Sequence, residues 1–475
     1  MQREYDVVVI GAGPAGEIVA GRLAEHGKQV VIVEQELVGG ECSFYACMPS
    51  KALLRPAEAL LEVQRIPGAA EAIRAPLDVQ AVLARRDEIV NRLDDSNQVP
   101  WLENRGITLV RGTGHLEGAR RVRVGEDLLI ARDAVVIAVG SGALLPPIPG
   151  LAEASAWSNR EVTTAHEIPG RLLVLGGGVV GVEMAQAWSS LGSEVTVIEA
   201  LDRLLAREEP FAGEQVRDAL EQRGVRVHTA TRALTVARDA DGLTVALDDE
   251  TRVSGDRLLV AIGRKPLTDS LGLETVDLQG GGYVQVDDHM CVIGAPGLYA
   301  VGDVNGRSLL THSGKYQARI AADHILGHPA TAWADTRGAP RVVFTDPQVA
   351  AVGLTLEAAR AAGVKALAID LPTSGTAGAS FYGRGAPGTT RFVVDTAREV
   401  LAGVTFVGAE VADFLQAATI AVVGEVPLSR LAHAIAPFPT RSELWLKFIE
   451  AYEQQRDTTL HSAPGVPNVT TGRQS

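Results

Sequence analysis

The stretch DVVVIGAGPAG, residues 6–16, decides the fold of the N-terminal part of this chain. The short apolar run over residues 5–10 predicts a strand that is buried on both faces, and a helical pattern follows the glycines. In such a turn Gly11 allows the tight bend, Gly13 lets the backbone approach a pyrophosphate, and Gly16 lets the helix pack on the strand. The unpaired N–H groups at the start of the helix favour the same anion. The stretch therefore predicts a site for a dinucleotide.

An acidic residue ends this unit, and the whole unit recurs later in the chain. The apolar run over residues 29–33 ends at Glu34, which is placed to accept hydrogen bonds from ribose hydroxyls. The second copy carries Gly176, Gly178, Gly181 and Glu199 in the same pattern of strand, turn, helix, strand and acid. In both units the acid follows the first glycine by 23 residues. One glycine motif is weak evidence, but two complete units indicate an α/β chain that binds two dinucleotides.

Two cysteines follow the first unit closely. Cys42 and Cys47 lie in the run GGECSFYACMPSKALL, residues 39–54. Two thiols five residues apart, next to a dinucleotide site, are placed to exchange electrons with a redox cofactor bound there. The alternatives are two small buried core residues, or metal ligands. No metal site is predicted, because the spacing is not CxxC and no cluster of Cys and His follows. The third cysteine, Cys291, has no partner nearby in the sequence and is predicted to be structural.

Composition limits the class of protein. A chain of 475 residues exceeds what one hydrophobic core usually holds, so we expect two to four domains. The net charge of −14 disfavours nucleic acid and anionic membranes as partners. Three cysteines are too few for a disulfide-stapled secreted scaffold, and no apolar run reaches the ~20 residues of a membrane span. We therefore predict a cytoplasmic protein without a membrane or nucleic-acid partner.

Over about 450 residues the chain resembles the pyridine nucleotide–disulfide oxidoreductases, which include dihydrolipoamide dehydrogenase, glutathione reductase and mercuric reductase. The resemblance rests on the two nucleotide units, the cysteine run, the stretch AVGD at residues 300–303, and residues 437–443. It implies two Rossmann-like dinucleotide-binding domains and a C-terminal α+β dimerisation domain. Because the cysteine run follows the first unit, that unit is expected to hold FAD and the second to hold NAD.

Proline- and glycine-rich stretches at residues 145–150 and 261–266 mark the expected domain boundaries. We predict a first FAD-binding segment, a nucleotide-binding domain, a return to the FAD domain, a dimerisation domain and a disordered tail. Their bounds are 1–150, 151–270, 271–338, 339–453 and 454–475. A homodimer is expected through the fourth of these segments.

The resemblance also implies roles for single residues. Cys47 is the thiol next to the flavin, and Cys42 is the thiol that attacks an external disulfide. Lys51 lies near the flavin and pairs with Glu183, and Asp303 binds the ribityl chain of the flavin. The positions expected to contact either cofactor are Gly11, Gly13, Gly16, Glu34, Gly40, Lys51, Gly114, Gly140, Ser141, Asp303, Gly176, Gly178, Gly181, Glu199, Gly263 and Arg264.

The acid of the second unit favours NADH over NADPH. The carboxylate of Glu199 would repel a 2′-phosphate. Arg203 and Arg207 could oppose this preference, but their position at the exposed start of a helix predicts solvated side chains.

The family pattern breaks near the C-terminus. Disulfide reductases of this family carry His-Pro-Thr-x-Ser-Glu, whose histidine protonates the leaving thiol, whereas residues 438–443 here read FPTRSE. Phe438 replaces the histidine and Glu443 is retained. A phenyl ring cannot transfer a proton, and a positioned acid or base is worth about 10²–10⁴ in rate. His433 is the candidate for a displaced base, and the terminal cysteine pair of mercuric reductase is absent, since no cysteine follows Cys291.

The leading prediction is an FAD-dependent oxidoreductase that takes hydride from NAD(P)H and reduces the Cys42–Cys47 disulfide. Its electron acceptor would be a small molecule of a non-standard kind, either a small disulfide or a quinone. One alternative is a true dihydrolipoamide dehydrogenase with a displaced base. The other is a redox sensor that binds both nucleotides and turns over slowly.

Overall fold

A seven-stranded sheet forms the first part of the fold in this computed structural model, which describes residues 1–239, 242–386 and 388–462. Its segment contains β1 (Gln2–Ile10), β2 (Val30–Glu34), β3 (Thr108–Arg111), β4 (Gly114–Leu116), β5 (Arg121–Val124), β6 (Asp127–Ile137) and the separate β7 (Ser141–Ala143). The helices are α1 (Pro14–Glu25), α2 (Gly40–Phe44), α3 (Cys47–Arg65), α4 (Val79–Ile89) and α5 (Val99–Glu103). The order β3-β2-β1-β6-β5-β4 puts β1 between two parallel neighbours, which explains why Val7, Val8 and Val9 are fully buried.

A smaller parallel sheet contains the second nucleotide unit. Its segment provides α6 (Asn159–Thr164), α7 (Val179–Ser190) and α8 (Pro210–Gln222). The strands are β8 (Arg171–Leu175), β9 (Glu194–Ile198), β10 (Arg226–His228), β11 (Ala233–Asp239), β12 (Gly242–Leu247), β13 (Arg252–Gly255), β14 (Arg257–Val260) and β15 (Arg264–Pro266). The parallel order is β10-β9-β8-β14, and β11-β12-β13 form an antiparallel sheet of their own. Strand β15 pairs with β7, so the two connections between the sheets lie side by side.

The chain then returns to the first sheet. Strand β16 (Leu298–Ala300) pairs in parallel with β6, with Leu298 opposite Val135. Helix α9 (Thr311–Ile325) follows, and its Ala318 lies in the same buried cluster as Val19 of α1. The short α10 (Ala334–Arg337) ends this segment. The return places Asp303 beside the first glycine turn.

An antiparallel sheet forms the C-terminal part. Its strands are β17 (Arg341–Val343), β18 (Gln348–Gly353), β19 (Ala366–Pro372), β20 (Thr389–Asp395) and β21 (Val400–Gly408), in the order β17-β18-β21-β20-β19. Its helices are α11 (Leu356–Ala361), α12 (Leu415–Val423), α13 (Leu428–Leu431) and α14 (Glu443–Ser462). The ring of Phe392 on β20 stacks on Phe448 of α14 at 4.2 Å, so this helix packs on the sheet.

The last helix corrects one prediction. Helix α14 continues to Ser462, so the expectation of a disordered tail from residue 454 is wrong for residues 454–462. The cause is local, because residues 453–456 are good helix formers and the first proline after them is Pro464. The rest of that predicted tail, residues 463–475, lies outside the described residues. Throughout the described chain no helix combines the length and the apolar character that crossing a bilayer requires.

Candidate active site

The first glycine turn has the shape that the sequence predicts. Gly11 has φ +101°, a conformation that favours glycine, and a Cβ on Gly16 would lie 1.9 Å from the carbonyl oxygen of Gly11. Among the described residues, no heavy atom other than those of Gly13 and its two chain neighbours lies within 4 Å of a Cβ placed on Gly13. The turn is therefore closed on the side of the protein and open at Gly13, where a pyrophosphate would approach.

The second turn repeats this geometry. Gly176 has φ +105°, a Cβ on Gly181 would lie 1.9 Å from the Gly176 carbonyl oxygen, and the space at Gly178 is open. Both predicted nucleotide turns are thus present with the same closed and open positions.

Backbone N–H groups fix the acid of each unit. The amide of Ala12 donates to Glu34 Oε2 at 2.8 Å, and the amide of Gly177 donates to Glu199 Oε2 at 2.5 Å. Each carboxylate also accepts a hydrogen bond from the amide two residues further along the chain, at 2.7 Å. Burial raises the pKa of Glu34. Both carboxylates therefore lie beside their glycine turn, as a group that binds ribose must.

A cavity of about 340 Å³ extends from the first glycine turn to Cys42. Its lining includes ten residues that the sequence analysis assigned to the site: Gly11, Gly13, Glu34, Gly40, Cys42, Gly114, Gly140, Ser141, Arg264 and Asp303. The open space at Gly13 and the fixed carboxylate of Glu34 fit the diphosphate and ribose of FAD. These residues come from sequence positions almost 300 apart, and the return of the chain through β16 brings them together.

The two cysteines of the motif are both partly buried, and each affects the ionisation of the other. Cys42 lies in α2 and Cys47 is the first residue of α3. The hydrogen bond from Cys42, with help from Thr311 and Lys51, lowers the pKa of Cys47 to about 6 despite its burial. The interaction with Cys47, together with burial, raises the pKa of Cys42. Cys47 is therefore the thiol that ionises first.

Thr311 is a site residue that the sequence analysis missed. Its Oγ1 lies 3.4 Å from Cys47 Sγ, at the start of α9 and 264 residues away in the chain. No local motif marks this position, so only the fold brings the hydroxyl to the thiol.

The predicted ion pair between Lys51 and Glu183 is formed. Lys51 Nζ donates to Glu183 Oε2 at 2.7 Å, and the side chain of Glu183 is 3% exposed. The amide of Phe344 donates to the other oxygen of Glu183 at 2.9 Å, and Lys51 Nζ lies 4.7 Å from the centre of the Phe344 ring. The ring and amide of Phe344, which the sequence analysis did not identify, therefore help to fix this cation.

Asp303 lines the same cavity and is held by hydrogen bonds. It lies in the 3₁₀ turn Gly302–Asn305, and the hydroxyl of Ser141 donates to its Oδ2 at 2.5 Å. Arg264 donates to the Ser141 hydroxyl at 2.7 Å and to the Ser141 carbonyl oxygen at 2.6 Å. Burial raises the pKa of Asp303. The three predicted residues thus form one chain of hydrogen bonds along the cavity wall.

The residues at the altered C-terminal motif lie apart from this cavity in the same chain. Neither Phe438 nor Glu443 is among the described residues that line it. The side chain of Phe438 is 75% exposed, and His433 is exposed as well. In the described part of the chain, Glu443 Oε2 is buried without a hydrogen-bond partner.

Comparison with known proteins agrees with this geometry. Residues 5–322 match the pyridine nucleotide-disulphide oxidoreductase family, and residues 339–448 match the dimerisation domain of that family. The chain belongs to this family. Dihydrolipoyl dehydrogenase of Thermus scotoductus is 36% identical over 462 residues, which cover 95% of this chain and 98% of that protein. Mercuric reductase of Acidithiobacillus ferrooxidans is 32% identical over 452 residues, with 93% and 81% covered.

Solved structures give the same family. The HOCl-induced flavoprotein disulfide reductase RclA from Escherichia coli matches with a TM-score of 0.83 at 26% identity, covering 94% of this chain and 99% of RclA. LpdA from Mycobacterium tuberculosis matches with a TM-score of 0.82, also at 26% identity and covering 94% of this chain. These matches confirm the predicted α/β fold, family and enzyme class. The family binds FAD and a pyridine nucleotide. FAD, when bound, would supply electron transfer between a nicotinamide and the thiols.

Proposed function

We propose that this flavin-dependent oxidoreductase takes electrons from NADH and passes them to a non-standard acceptor, a small disulfide or a quinone. The observation that carries the proposal is Phe438 in place of the histidine base, in a chain that keeps both nucleotide units and both thiols. Cys42 and Cys47 are assigned the redox disulfide, and Lys51 and Glu183 the fixed cation beside the flavin. The residues proposed to contact FAD and NAD are the glycines of the two turns, the acid that ends each unit, and the predicted residues along the cavity wall.

The proton balance explains why the acceptor matters. Reduction of an external disulfide takes two electrons and two protons. Cys42 loses its proton and attacks one sulfur, the other sulfur leaves as a thiolate, and Cys47 then attacks Cys42 Sγ to release the second thiol and close the Cys42–Cys47 disulfide. A positioned acid speeds that departure, and Phe438 cannot supply a proton. When the leaving thiol of a small disulfide has a low pKa, its thiolate departs without this help. A quinone also takes two electrons and two protons, but it can receive the electrons from the flavin and thus needs no thiol exchange.

The charge at the second unit supports NADH as the donor. Glu199 is held by two backbone amides, so its carboxylate stays where a 2′-phosphate would lie. Arg203 donates to the carbonyl oxygen of Ala206 at 3.1 Å and lies 3.5 Å from Asp202, so its charge is already engaged. Arg207 is exposed.

A homodimer is part of the proposal. The domain that matches the family's dimerisation domain carries several large apolar side chains on its surface. Ile435 is 95% exposed, Phe438 75%, Ile420 60% and Leu446 50%. Apolar side chains of this size are rarely left in water, so a second copy of the chain is the natural cover for them. Each active site would then combine the thiols of one chain with Phe438 and Glu443 of the other.

A true dihydrolipoyl dehydrogenase is the second candidate. It is favoured by the 36% identity with the Thermus scotoductus enzyme of that name over nearly the whole chain. It requires another proton donor in place of Phe438, and His433 is the first candidate because it is exposed near the altered motif. A slow redox sensor that binds both nucleotides is the third.

Anaerobic oxidation of NADH with lipoamide and with menadione separates these functions. We expect menadione to be reduced faster than lipoamide, and its reduction to survive Cys42→Ser because that route bypasses the thiols. The Thermus scotoductus enzyme serves as the reference for lipoamide. Lipoamide turnover at the reference rate, lost in Cys42→Ser, would establish the second candidate. Reduction of flavin and thiols without turnover of either acceptor would indicate the sensor.

A further inference from the structure

Helix α6 contacts the thiol-bearing segment through a group of charged side chains. We call residues 41–47 the redox segment. Arg160 of α6 donates from Nε to Glu41 Oε1 at 2.6 Å and from both Nη atoms to the two oxygens of Glu36, each at 2.9 Å. Its guanidinium also lies over the Tyr45 ring at 4.3 Å. One arginine therefore contacts residues on both sides of Cys42.

Two further side chains of α6 hold the same segment. Asn159 Nδ2 donates to Glu41 Oε2 at 2.6 Å and to the Tyr45 carbonyl oxygen at 3.0 Å. The hydroxyl of Thr163 donates to the same carbonyl oxygen at 3.2 Å. The backbone between Cys42 and Cys47 is thus tied to a helix that lies more than 110 residues later in the chain.

Helix α6 is itself well anchored. The guanidinium of Arg86, whose side chain is fully buried, donates to the carbonyl oxygens of Thr163 at 2.7 Å and Ala165 at 3.1 Å. At the other end, Ser158 and Glu161 form a capping box. The helix can therefore serve as a fixed support for the redox segment.

We propose that Arg160 and Glu41 are positioning residues, which hold the redox segment against α6 and thereby fix the position of the Cys42 thiol relative to Cys47. An isolated surface ion pair contributes little to stability, but bidentate contacts and shared networks contribute more. Arg160 makes both, and its side chain is 41% exposed while that of Glu41 is 24% exposed. The inference rests on the proposed redox use of the two thiols.

The charged groups that act on the thiols are different residues from Arg160 and Glu41, so the positioning role of these two can be tested separately from charge. These charged groups are Lys51 and Glu183 on Cys47, and Lys315 on Cys42. Substitutions at Arg160 or Glu41 keep all three. A change in the ionisation of Cys47 would then report the position of the segment, through the hydrogen bond from Cys42.

Two substitutions of opposite charge test the proposal. In FAD-loaded protein reduced under anaerobic conditions, the rate of alkylation by iodoacetamide is measured from pH 5 to 10 for Arg160→Gln and Glu41→Gln. If the segment loosens in both, the pKa that governs alkylation rises in both, and the rate at pH 6 falls about three- to tenfold. The double variant should be no slower than the slower single variant, because either change breaks the same contact.

The control variant breaks a similar ion pair that does not contact the redox segment. Arg171 pairs with Asp256 at 2.7 Å in the second sheet, and its side chain is 40% exposed, close to the value for Arg160. Arg171→Gln should leave the alkylation profile unchanged. Arg160→Lys, which keeps the charge but loses the bidentate contact, covers the case in which Arg160→Gln does not fold. It should also lower the rate at pH 6.

Three results would overturn the inference. The first is a change of the alkylation pKa in opposite directions in the two single variants, which indicates a direct charge effect. The second is an alkylation profile in both variants that matches the wild type. The third is an equal change of the alkylation pKa in Arg171→Gln. Failure of the proposed function is recognised separately by counting thiols in the denatured protein. Wild type that still has three free thiols after oxidation has no Cys42–Cys47 disulfide, whatever the variants do.

Discussion

Lys51 Nζ lies 2.7 Å from Glu183 Oε2, and this ion pair joins the helix that begins at Cys47 to the first helix of the second nucleotide unit. The carboxylate is nearly inaccessible to water, whereas the lysine is 34% exposed. The pair fixes the position of a cation, and under the proposed function that cation would stabilise the negative charge that develops when electrons are transferred.

Loss of this carboxylate charge should slow the first half of the reaction. In Glu183→Gln the amide oxygen can still accept from Phe344, but Lys51 loses its counter-charge. We expect reduction of the flavin by NADH to slow by about tenfold, equivalent to ~1.4 kcal/mol in the barrier. Stopped-flow absorbance of the flavin measures this rate. Glu208→Gln is the matched control, because Glu208 pairs with Arg341 at 2.8 Å and is similarly buried. Equal slowing in both variants would contradict a specific role.

Features that are contiguous in sequence were predicted correctly. The turns at Gly11 and Gly176 follow from local rules, because steric limits on φ and on close packing act within one turn. Thr311, Phe344 and Arg160 could not be found in this way. Their partners lie more than 110 residues away, and only the packed domains bring these side chains to the thiols and to Lys51.

The lowered pKa of Cys47 predicts that the redox potential of the Cys42–Cys47 pair depends on pH in two ranges. The pKa of Cys47 lies at about 6, below that of an ordinary thiol, so its ionisation stabilises the dithiol as pH rises, and this stabilisation is lost as pH falls through 6. Below pH 6 two protons accompany the two electrons, and above it only one does, because Cys42 stays protonated. The slope of the potential should therefore change from about 59 to about 30 mV per pH unit near pH 6.

Equilibration with dithiothreitol buffers from pH 5 to 8 measures that slope. Thr311→Val removes a hydroxyl that contacts Cys47 Sγ, so the change of slope should move to higher pH in this variant. A two-proton slope that persists to pH 8 in wild type would show that Cys47 is not the thiolate.

The nucleotide preference should depend on the charge of one residue. Glu199→Ala removes the carboxylate that we propose to face the ribose, and we expect the ratio of kcat/KM for NADH to that for NADPH to fall by about tenfold. Glu199→Gln removes the charge but keeps one acceptor oxygen, for the amide of either Gly177 or Leu201, so it should also lower this ratio if repulsion is the cause. A change in Glu199→Ala alone would instead implicate the lost hydrogen bonds. Wild type that prefers NADPH would refute the assignment of NADH.

The exposed apolar side chains predict the oligomeric state. Light scattering should give the mass of a dimer for the wild type, and Ile435→Asp should weaken the dimer because it places a charge on the most exposed of these side chains. Ile293→Asp is the control, since Ile293 is 59% exposed on the return segment of the first domain. A wild-type protein that is monomeric and active at nanomolar concentration would contradict the dimer.

The altered motif itself gives the sharpest test of the proposed acceptor. Phe438→His restores an imidazole at the position where the family has its base, and Glu443, whose Oε2 is buried without a partner in the described residues, is available to orient it. We expect lipoamide reduction to rise by at least tenfold with little change in menadione reduction, as measured by anaerobic NADH oxidation. Phe438→Asn is the control for ring removal without a base, and it should leave lipoamide reduction low. If wild type already reduces lipoamide as fast as the Thermus scotoductus enzyme and Phe438→His adds nothing, the proton comes from another group. His433→Gln would then be expected to abolish lipoamide turnover.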